Sequence, residues 1–303
     1  MIILGLSLSL LIGVLLGLLG GGGSILTVPL LHYVFGFEAT LAVFLSLFIV
    51  GMVALVGAAL HQRQGLVRWK QGLIFAIPSF AAVFLTRKFL IPLIPNEISL
   101  LGLSVSKGTL TLFCFGVVMM IAGFAMVRKP KVEEAPVAPQ DDERKMSGST
   151  GDQTVHRALI AVASRGALVG VVTGFVGAGG GFLIVPALTL LLGFEMKAAV
   201  GTSLAIISFN SLGGFFSEFM SNDSTDRVIG SNPALELGWL TQVLPGGWSQ
   251  TPWALMLLIT FLSIIGMFAG MALQKRVSGA TLKPAFGYFV LVSALLIMLK
   301  EAM

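Results

Sequence analysis

Residues 17–47 read GLLGGGGSILTVPLLHYVFGFEATLAVFLSL, and residues 174–204 read GFVGAGGGFLIVPALTLLLGFEMKAAVGTSL. The two stretches align without gaps at a constant offset of 157 residues, and 15 of the 31 aligned positions are identical. They share a glycine-rich run, a Val-Pro pair, a Gly-Phe-Glu triplet and a serine. Because chance does not give such agreement, the chain contains the same unit twice.

Long apolar blocks surround both stretches. Of the 303 residues, 56% are hydrophobic and 11% are charged, whereas an average soluble domain has roughly 25% charged residues. A block of about 20 apolar residues is long enough to cross the roughly 30 Å of hydrocarbon in a bilayer. The sequence therefore predicts a polytopic membrane protein. Its apolar blocks lie at residues 1–20, 25–36, 39–60, 69–86, 108–127, 158–177, 182–193, 196–217, 252–273 and 284–299.

The spanning elements are predicted to be α-helices, which gives an all-α fold class. The apolar runs are continuous, whereas a membrane β-barrel alternates polar and apolar side chains. The single cysteine, Cys114, excludes chemistry at paired thiols. The first block is expected to be a retained membrane segment, because no basic region and no small-residue cleavage site accompany it.

A polar stretch separates the two copies of the unit. Residues 128–157 combine Pro, Ser, Gly and charges of both signs, so this stretch cannot bury enough apolar surface to fold alone. We therefore predict a first transmembrane repeat at 1–127, a cytoplasmic linker at 128–157 and a second transmembrane repeat at 158–303. The net charge of +5 reflects basic residues beside the ends of apolar blocks, which argues against a nucleic-acid partner.

The charges of the loops predict that the repeats are inverted. Residues 61–70 hold Arg63, Arg68 and Lys70 and no acid, which favours the cytoplasmic side. The equivalent loop at 222–252 holds three acidic residues and one arginine, which favours the outside. Each half then has a Gly-broken helical hairpin plus three transmembrane helices. Both termini lie outside, and 14 of the 19 Lys and Arg residues lie on the cytoplasmic side.

The glycine runs GGGGS at 20–24 and GAGGG at 177–181 are predicted to break the first helix of each half. Each glycine costs a helix about 1 kcal/mol relative to alanine, so such a run ends one helix and lets another start. The new helix presents partial positive charge and free amides, which suit an anion. Close helix packing is the alternative role of these glycines. The candidate substrate-binding residues here are Gly21, Gly22, Gly23, Ser24, Gly179, Gly180 and Gly181.

The second run differs from the first at one position. Residue 178, which aligns with Gly21, is an alanine. The substrate-binding role proposed for the glycines is therefore not applicable at this position, and Ala178 is not a candidate. The other features of the two breaks agree. Ser24 is expected to cap the helix that follows the first run. Pro29 and Pro186 lie about one turn further on, where a missing N–H does little damage.

Further candidate substrate contacts lie on the helix that follows each break. Ser46, Thr202 and Ser203 are about 12 Å past the Gly-Phe-Glu triplets, which approaches the membrane midplane. Bonding to the carbonyls of their own helix is the alternative role for these hydroxyls. Asn210 lies in the middle of its apolar block and needs a polar partner, so it is also a candidate.

Three titratable residues are candidates for proton or ion coupling. Glu38 and Glu195 begin the next helix in both halves, where a carboxylate also favours the helix dipole. His32 lies inside an apolar block and could carry a proton, but its equivalent in the second half is Thr189. No metal cluster, cofactor motif or Ser, His and acid grouping is found in the spans, so we assign no catalytic residue, metal or cofactor.

These motifs resemble the TauE/SafE family of sulfite and organosulfonate exporters. The resemblance rests on the Gly-rich break with Val-Pro, on the segment AVGTSL at 199–204, and on the loop from Arg63 to Trp69. The ending from Lys275 to Gly287 is similar as well. The chain departs from the family where residues 43–46 read VFLS, which leaves one hydroxyl in the first half.

The resemblance implies a carrier in the cytoplasmic membrane that exports a small sulfur oxyanion, such as sulfite or sulfoacetate, and is not an enzyme. Its partners would be the small anion and the lipid bilayer, and a homodimer stays open. Rocking of the two halves would expose the anion to each side in turn. A cation-coupled carrier of an amino acid or another organic anion, and an anion channel, are the alternatives.

Overall fold

The structure, a computed structural model, describes residues 2–37, 39–90, 93, 97–100, 103–128, 151–176, 181–220 and 252–302. Helices dominate the described chain, as the apolar blocks predict. The α-helices are α1 (Ile2–Leu19), α2 (Ser24–Pro29), α3 (Ala39–Gln62), α4 (Trp69–Leu85), α5 (Lys107–Val127), α6 (Gly151–Val176), α7 (Gly181–Pro186), α8 (Met196–Phe219), α9 (Pro252–Arg276) and α10 (Gly279–Ala302).

Four of the described helices are long and apolar enough to cross a membrane. They are α3, α8, α9 and α10, and the other long helices contain shorter apolar segments. Large apolar side chains such as those of Phe261 and Leu296 are 62% and 63% exposed, as expected for surfaces that face lipid. The prediction of a membrane-embedded helical protein is therefore supported by length, composition and exposure.

The structure differs from the predicted blocks at two places. Helix α6 begins at Gly151, inside the predicted linker, because no proline or glycine interrupts residues 152–157. A two-stranded antiparallel hairpin pairs β1 (Glu97–Leu100) with β2 (Leu103–Ser106), in a segment that lies between two predicted apolar blocks. Its strands alternate serine with Ile, Leu or Val, which is the period-2 pattern of a β-strand.

Both half-helices change to π-helix after a proline. Residues Leu30–Val34 follow Pro29, and Ala187–Leu191 follow Pro186. Each proline ends a six-residue α-helix, so it lies beyond the first turn, where its ring displaces the carbonyl one turn earlier. A change of helix type thus follows the proline in both halves, a feature that the apolar pattern does not predict.

The long helices pack in four pairs, each with one helix from each half. Helix α1 packs on α9, and α4 packs on α6. Helices α3 and α8 form the third pair, and α5 and α10 form the fourth. In the repeat, α1 is equivalent to α6, and α4 is equivalent to α9. The first and second pairs are therefore equivalent to each other, whereas the third and fourth pairs each join two equivalent helices. The pairing is therefore symmetric between the halves.

Glycines bring the backbones of α1 and α9 into direct contact. Gly13 lies against the backbone of Ser263, and Gly17 lies against that of Met267, so a Cβ at either glycine would overlap a carbonyl oxygen. The residue numbers rise together along both helices, which makes the pair parallel. The Ser263 hydroxyl also donates to the Ser9 carbonyl at 3.0 Å. Glycines four residues apart permit such packing in membranes.

The pair α4 and α6 has the same construction. Gly166 lies against the backbone of Phe75, and Gly170 lies against that of Ser79. These two helices are therefore also parallel. At both interfaces the glycines of the first helix in one half contact the fourth helix of the other half. We call these two units, α1 with α9 and α4 with α6, the glycine-packed pairs.

The equivalent helices α3 and α8 run in opposite directions. Gly51 faces Leu212, and Gly57 faces Leu204, so the residue numbers fall along one helix as they rise along the other. Helices α5 and α10 are antiparallel by the same criterion. Helices α3 and α8 contribute more residues to the buried core than any other of the four pairs, which places this pair at the centre of the molecule.

Candidate functional site

The first glycine run interrupts the helix where the sequence predicts. Helix α1 ends at Leu19, and Gly21–Gly23 form one turn of 3-10 helix before α2. Gly20 has a φ of 74° and a ψ of −103°, a conformation that glycine adopts and other residues avoid. The first amides of a helix have no carbonyl one turn earlier to donate to. Gly21 and Gly22 begin this turn, so their amides occupy the positions at a helix start that are open to an anion.

The two half-helices begin against each other in the protein interior. Gly21 packs so closely on the Gly181 carbonyl and on Phe182 that a Cβ at Gly21 would overlap both. A Cβ at Gly181 would lie 3.0 Å from Ser24 Oγ. Of the predicted site residues, the structure therefore brings Gly21, Ser24 and Gly181 together.

The second glycine run is described from Gly181 onward. Ala178, Gly179 and Gly180 lie outside the described residues, so the predicted roles of the two glycines stay predictions. A glycine role at position 178 is excluded by the sequence itself, because Ala178 carries a Cβ there. Its equivalent in the first half is Gly21, where a Cβ would overlap the opposite half-helix. The two breaks are therefore not identical at this position.

Ser203 of α8 lies beside the first break. A Cβ at Gly20 would lie 2.7 Å from Ser203 Oγ and 3.2 Å from a methyl group of Val185. Ser203 is fully buried. We call Gly20–Ser24, Gly181 and Ser203 the break cluster.

The hydroxyls of the break cluster donate to their own chain segments. Ser24 Oγ donates to the Gly21 carbonyl at 2.7 Å, and Ser203 Oγ donates to the Val200 carbonyl at 2.8 Å. The proton of each hydroxyl is therefore donated to a nearby carbonyl, and only the oxygen lone pairs remain available to another group. An anion in the break cluster would depend on the backbone amides, because these hydroxyls must rotate before they can donate to it.

Ser24 does not cap α2, so that prediction was wrong. The residue before the helix is Gly23, and no side chain bonds to the first amides. Ser24 itself has helical dihedral angles and continues directly from the 3-10 turn. A capping residue needs a non-helical backbone, which this continuous geometry excludes.

Two further predicted hydroxyls serve other contacts in this structure. Ser46 Oγ donates to the Val43 carbonyl of its own helix at 2.7 Å. Thr202 Oγ1 accepts a hydrogen bond from the Arg68 amide at 3.1 Å, and the residue is fully buried. Thr202 thereby links α8 to the start of α4.

The described candidates for ion coupling also have structural contacts. Glu195 precedes α8, where its carbonyl accepts from the Ala199 amide and its exposed side chain makes no capping bond. His32 Nδ1 lies 2.7 Å from the Phe37 carbonyl, so this nitrogen carries a proton and donates it. His32 therefore closes the turn at the end of the π-helix. Glu38 lies outside the described residues.

Asn210 lines a cavity of about 50 Å³ between α3, α4, α6 and α8. Its side-chain oxygen Oδ1 is buried and has no hydrogen-bond partner among the residues that the structure describes. The cavity also contains two hydroxyl residues, Thr173 and Ser211, that the sequence analysis did not identify as site residues. The sequence signal for Thr173 is its position one turn before the second glycine run. The complete lining is Leu47, Phe80, Val83, Thr173, Asn210, Ser211 and Gly214.

A second polar contact that the sequence analysis missed lies at the other end of α3. His61 is fully buried, with Nε2 at 3.0 Å from Gln274 Oε1 and Nδ1 at 2.9 Å from the Gly57 carbonyl. Gln274 Nε2 donates to the Leu18 carbonyl at 3.3 Å. The predicted block ended at residue 60, one residue short of His61. A predicted block that extended to residue 61 would have placed His61 inside an apolar helix.

The basic residue within the sixth helix has a local role. Arg165 Nη1 donates to the Leu191 carbonyl at 2.6 Å. Leu191 ends the π-helix of the second half, where carbonyls lack an intrahelical donor. Arg165 therefore satisfies a helix end. Within the described part of the chain, no three His, Cys, Asp or Glu side chains are grouped as a metal site requires.

Comparison with known proteins gives a family match along nearly the whole chain. The family described as sulfite exporter TauE/SafE matches residues 5–297. A probable membrane transporter protein of Xylella fastidiosa strain Temecula1 is 34% identical over 198 residues, which cover 65% of this chain and 66% of that protein. The probable membrane transporter protein YunE of Bacillus subtilis is 27% identical over 255 residues, 80% of this chain and 82% of that protein. No solved structure gives a significant match.

Proposed function

Because the chain belongs to the sulfite exporter TauE/SafE family, we propose that it exports small sulfur oxyanions, sulfite or an organosulfonate such as sulfoacetate, across the cytoplasmic membrane. The membership and the names of the relatives make it a membrane transporter. The contact of Gly21 with Gly181 carries the proposal, because it puts the starts of two half-helices at one point. Two helix N-termini at one buried point favour an anion over a cation.

The binding mode follows from the groups that the break cluster contains. Gly21 and Gly22 supply amides, and the hydroxyls of Ser24 and Ser203 lie within the same cluster. Amides and hydroxyls select an oxyanion by hydrogen bonds, without the strong attraction of a lysine or arginine. Such a site releases its ligand readily, which a transport cycle requires.

We further propose that the two repeats have inverted topology. The antiparallel packing of the equivalent helices α3 and α8 supports it, because repeats related by an axis in the membrane plane run in opposite directions. The loop charges of the sequence agree. The linker at 128–157 would then lie in the cytoplasm and both termini outside.

Alternating access would expose the break cluster to each side of the membrane in turn. The family resemblance implies that the two halves rock against each other. Each glycine-packed pair instead joins a helix of one half to a helix of the other through backbone contacts. We propose that these pairs are the moving bodies and that α3 and α8 are the surface on which they move.

Ligand-dependent stability tests the substrate class. The purified protein is unfolded by heat in the presence of sulfite, sulfate, sulfoacetate, taurine or chloride at constant ionic strength. A ligand at 100 times its dissociation constant adds about 2.7 kcal/mol, so the true substrate raises the melting temperature selectively. A shift with an amino acid and none with any sulfur oxyanion would overturn the proposal.

A glycine substitution tests the location of the site. We expect Gly21→Ala to abolish both the oxyanion-dependent shift and the flux in proteoliposomes, because the new methyl group overlaps the Gly181 carbonyl. Gly279→Ala is the matched control, since its Cβ would lie 3.8 Å from the nearest atom. Normal binding by the Gly21 variant would place the anion elsewhere.

A further inference from the structure

We propose that the cavity beside Asn210 is a monovalent-cation site that takes sodium. Its binding of sodium is independent of the proposed export function, whereas a role in coupling rests on that function. The first observation is the unpartnered, buried Oδ1 atom of Asn210. A buried carbonyl oxygen without a partner destabilises the folded protein, and a bound ligand that pairs with it would remove that penalty.

Two polar atoms of the cavity lining are available as acceptors. Thr173 Oγ1 donates its proton to the Gly170 carbonyl at 3.1 Å, so only its lone pairs remain for a ligand. Asn210 contributes the free Oδ1. Hard cations bind oxygen ligands of this kind.

The lining also selects the charge of the ion. None of the seven lining residues carries a charge, and neutral oxygens suit a monovalent ion better than a divalent one. The volume of about 50 Å³ exceeds the roughly 10–15 Å³ that one water needs. The cavity therefore has room for one small cation with waters that complete its coordination.

The depth of the cavity makes a purely structural role costly. Asn210 is the fifteenth of the 24 residues of α8, which places it about 4 Å past the helix midpoint at 1.5 Å per residue. Polar side chains at this depth in a membrane helix mark ion or substrate pathways. Ile207, one turn earlier on α8, contacts Gly181 of the break cluster. A cation here would thus lie close to the proposed anion site.

The symmetric position in the first half is filled by apolar side chains. At the offset of 157 residues, the equivalents of Thr173, Asn210 and Ser211 are apolar and fully buried: Leu16, Val53 and Ala54. The equivalent of Gly214 is Gly57, where a Cβ would meet Met267 at 2.9 Å and Leu204 at 3.0 Å. Among the described residues, the polar groups that line the sodium site therefore all come from the second half. The protein would then bind one sodium ion per transport cycle, at a position away from the axis that relates the two halves.

Sodium-specific stabilisation of the full-length protein is the direct test. Melting temperatures are measured in sodium, potassium and choline chloride at equal ionic strength and without any sulfur oxyanion. We expect sodium alone to raise the melting temperature. Asn210→Leu should abolish the sodium-specific shift, and Thr173→Val, which keeps the side-chain shape, should do the same. Ser208→Ala is the matched control on α8, because the Ser208 hydroxyl bonds to its own helix and does not line the cavity.

Each outcome decides the proposal. Equal melting temperatures in the three salts, or a sodium shift that persists in both cavity variants, would overturn it and leave water as the occupant. Oxyanion binding is measured separately at a fixed sodium concentration. If the wild-type protein binds no oxyanion in that measurement, the export function is refuted and the sodium site is not. In proteoliposomes, we expect oxyanion flux to respond to a sodium gradient in wild type and not in Asn210→Leu.

Discussion

At the scale of single residues, two glycines with the same φ separate backbone strain from close contact. Gly20 and Gly36 both have a φ of 74°. A Cβ at Gly20 would lie 2.7 Å from Ser203 Oγ, whereas a Cβ at Gly36 would meet no atom within 4 Å. Any loss of function that is specific to Gly20 therefore reports on the break cluster.

We predict that Gly36→Ala lowers stability by about 1–2 kcal/mol, the cost of a positive φ for a residue with a Cβ. Gly20→Ala should cost more and should also abolish oxyanion flux, because its methyl group displaces Ser203. The measurement combines thermal unfolding with flux in proteoliposomes. Equal flux in the two variants would contradict a binding role for the first break.

Replacement of Ser203 tests the hydroxyl of α8 that lies beside the break. We expect Ser203→Ala to weaken oxyanion binding by about 1 kcal/mol, or roughly fivefold in Kd, the usual contribution of one hydrogen bond. Ser208→Ala is the control, since that hydroxyl also donates to a carbonyl of α8. Titration calorimetry of both variants gives the comparison, and an unchanged Kd would assign Ser203 to packing alone.

The sequence predicts which polar residues lie within the apolar helices, but not which acceptors their hydroxyl groups donate to. Ser24, Ser46 and Ser203 are candidate substrate contacts by sequence, and in the structure all three donate to carbonyls of nearby residues. A hydrogen bond from the hydroxyl to a helix carbonyl competes with a hydrogen bond to a ligand. The choice between them depends on the three-dimensional structure. His61 and Gln274 escaped notice because each lies at the end of an apolar block, where polar residues are common.

At the scale of elements, the hydropathy pattern predicted most of the long helices to within a few residues. It could not predict the π-helices after Pro29 and Pro186, because these depend on how far each proline lies from the start of its helix. It also missed the hairpin at Glu97–Ser106, which is shorter than a membrane span. Length and hydrophobicity define spans, whereas local backbone geometry requires the neighbouring contacts.

The glycine-packed pairs give a prediction about stability. We expect Gly170→Ala to destabilise the protein by about 1–3 kcal/mol, the usual cost of overpacking, because its methyl group would overlap the Ser79 carbonyl. Gly279→Ala, with 3.8 Å to its nearest neighbour, should leave stability nearly unchanged. Thermal unfolding in detergent compares the two. A tolerated Gly170 variant would mean that α4 and α6 separate easily.

At the scale of the whole molecule, the repeat follows from the sequence but the exchange of helices does not. Identity between residues 17–47 and 174–204 shows two related halves, yet it carries no information on which helix packs on which. The glycine spacing along α1, α6 and α9 was visible in the sequence. Its partners became clear only when Gly13 and Gly170 were seen against carbonyls of the other half.

Sidedness tests the proposed inversion of the repeats. In a Cys114→Ala background, single cysteines at Ser147 and Ser231 should react with an impermeant thiol reagent from opposite sides of the membrane. Ser147 lies in the predicted cytoplasmic linker and Ser231 in the acidic outer loop. Labelling of both from the same side would contradict the inverted repeat.

The exchange of helices between halves also governs how the protein is made. Ser9 of α1 bonds to Ser263 of α9, a separation of 254 residues in the chain. At about 5–20 residues per second, the ribosome needs roughly 10–50 s to synthesise that interval. During this time the glycine face of α1 is already in the membrane without its partner. The insertion machinery or surrounding lipid must therefore protect this surface until the last quarter of the chain has been translated.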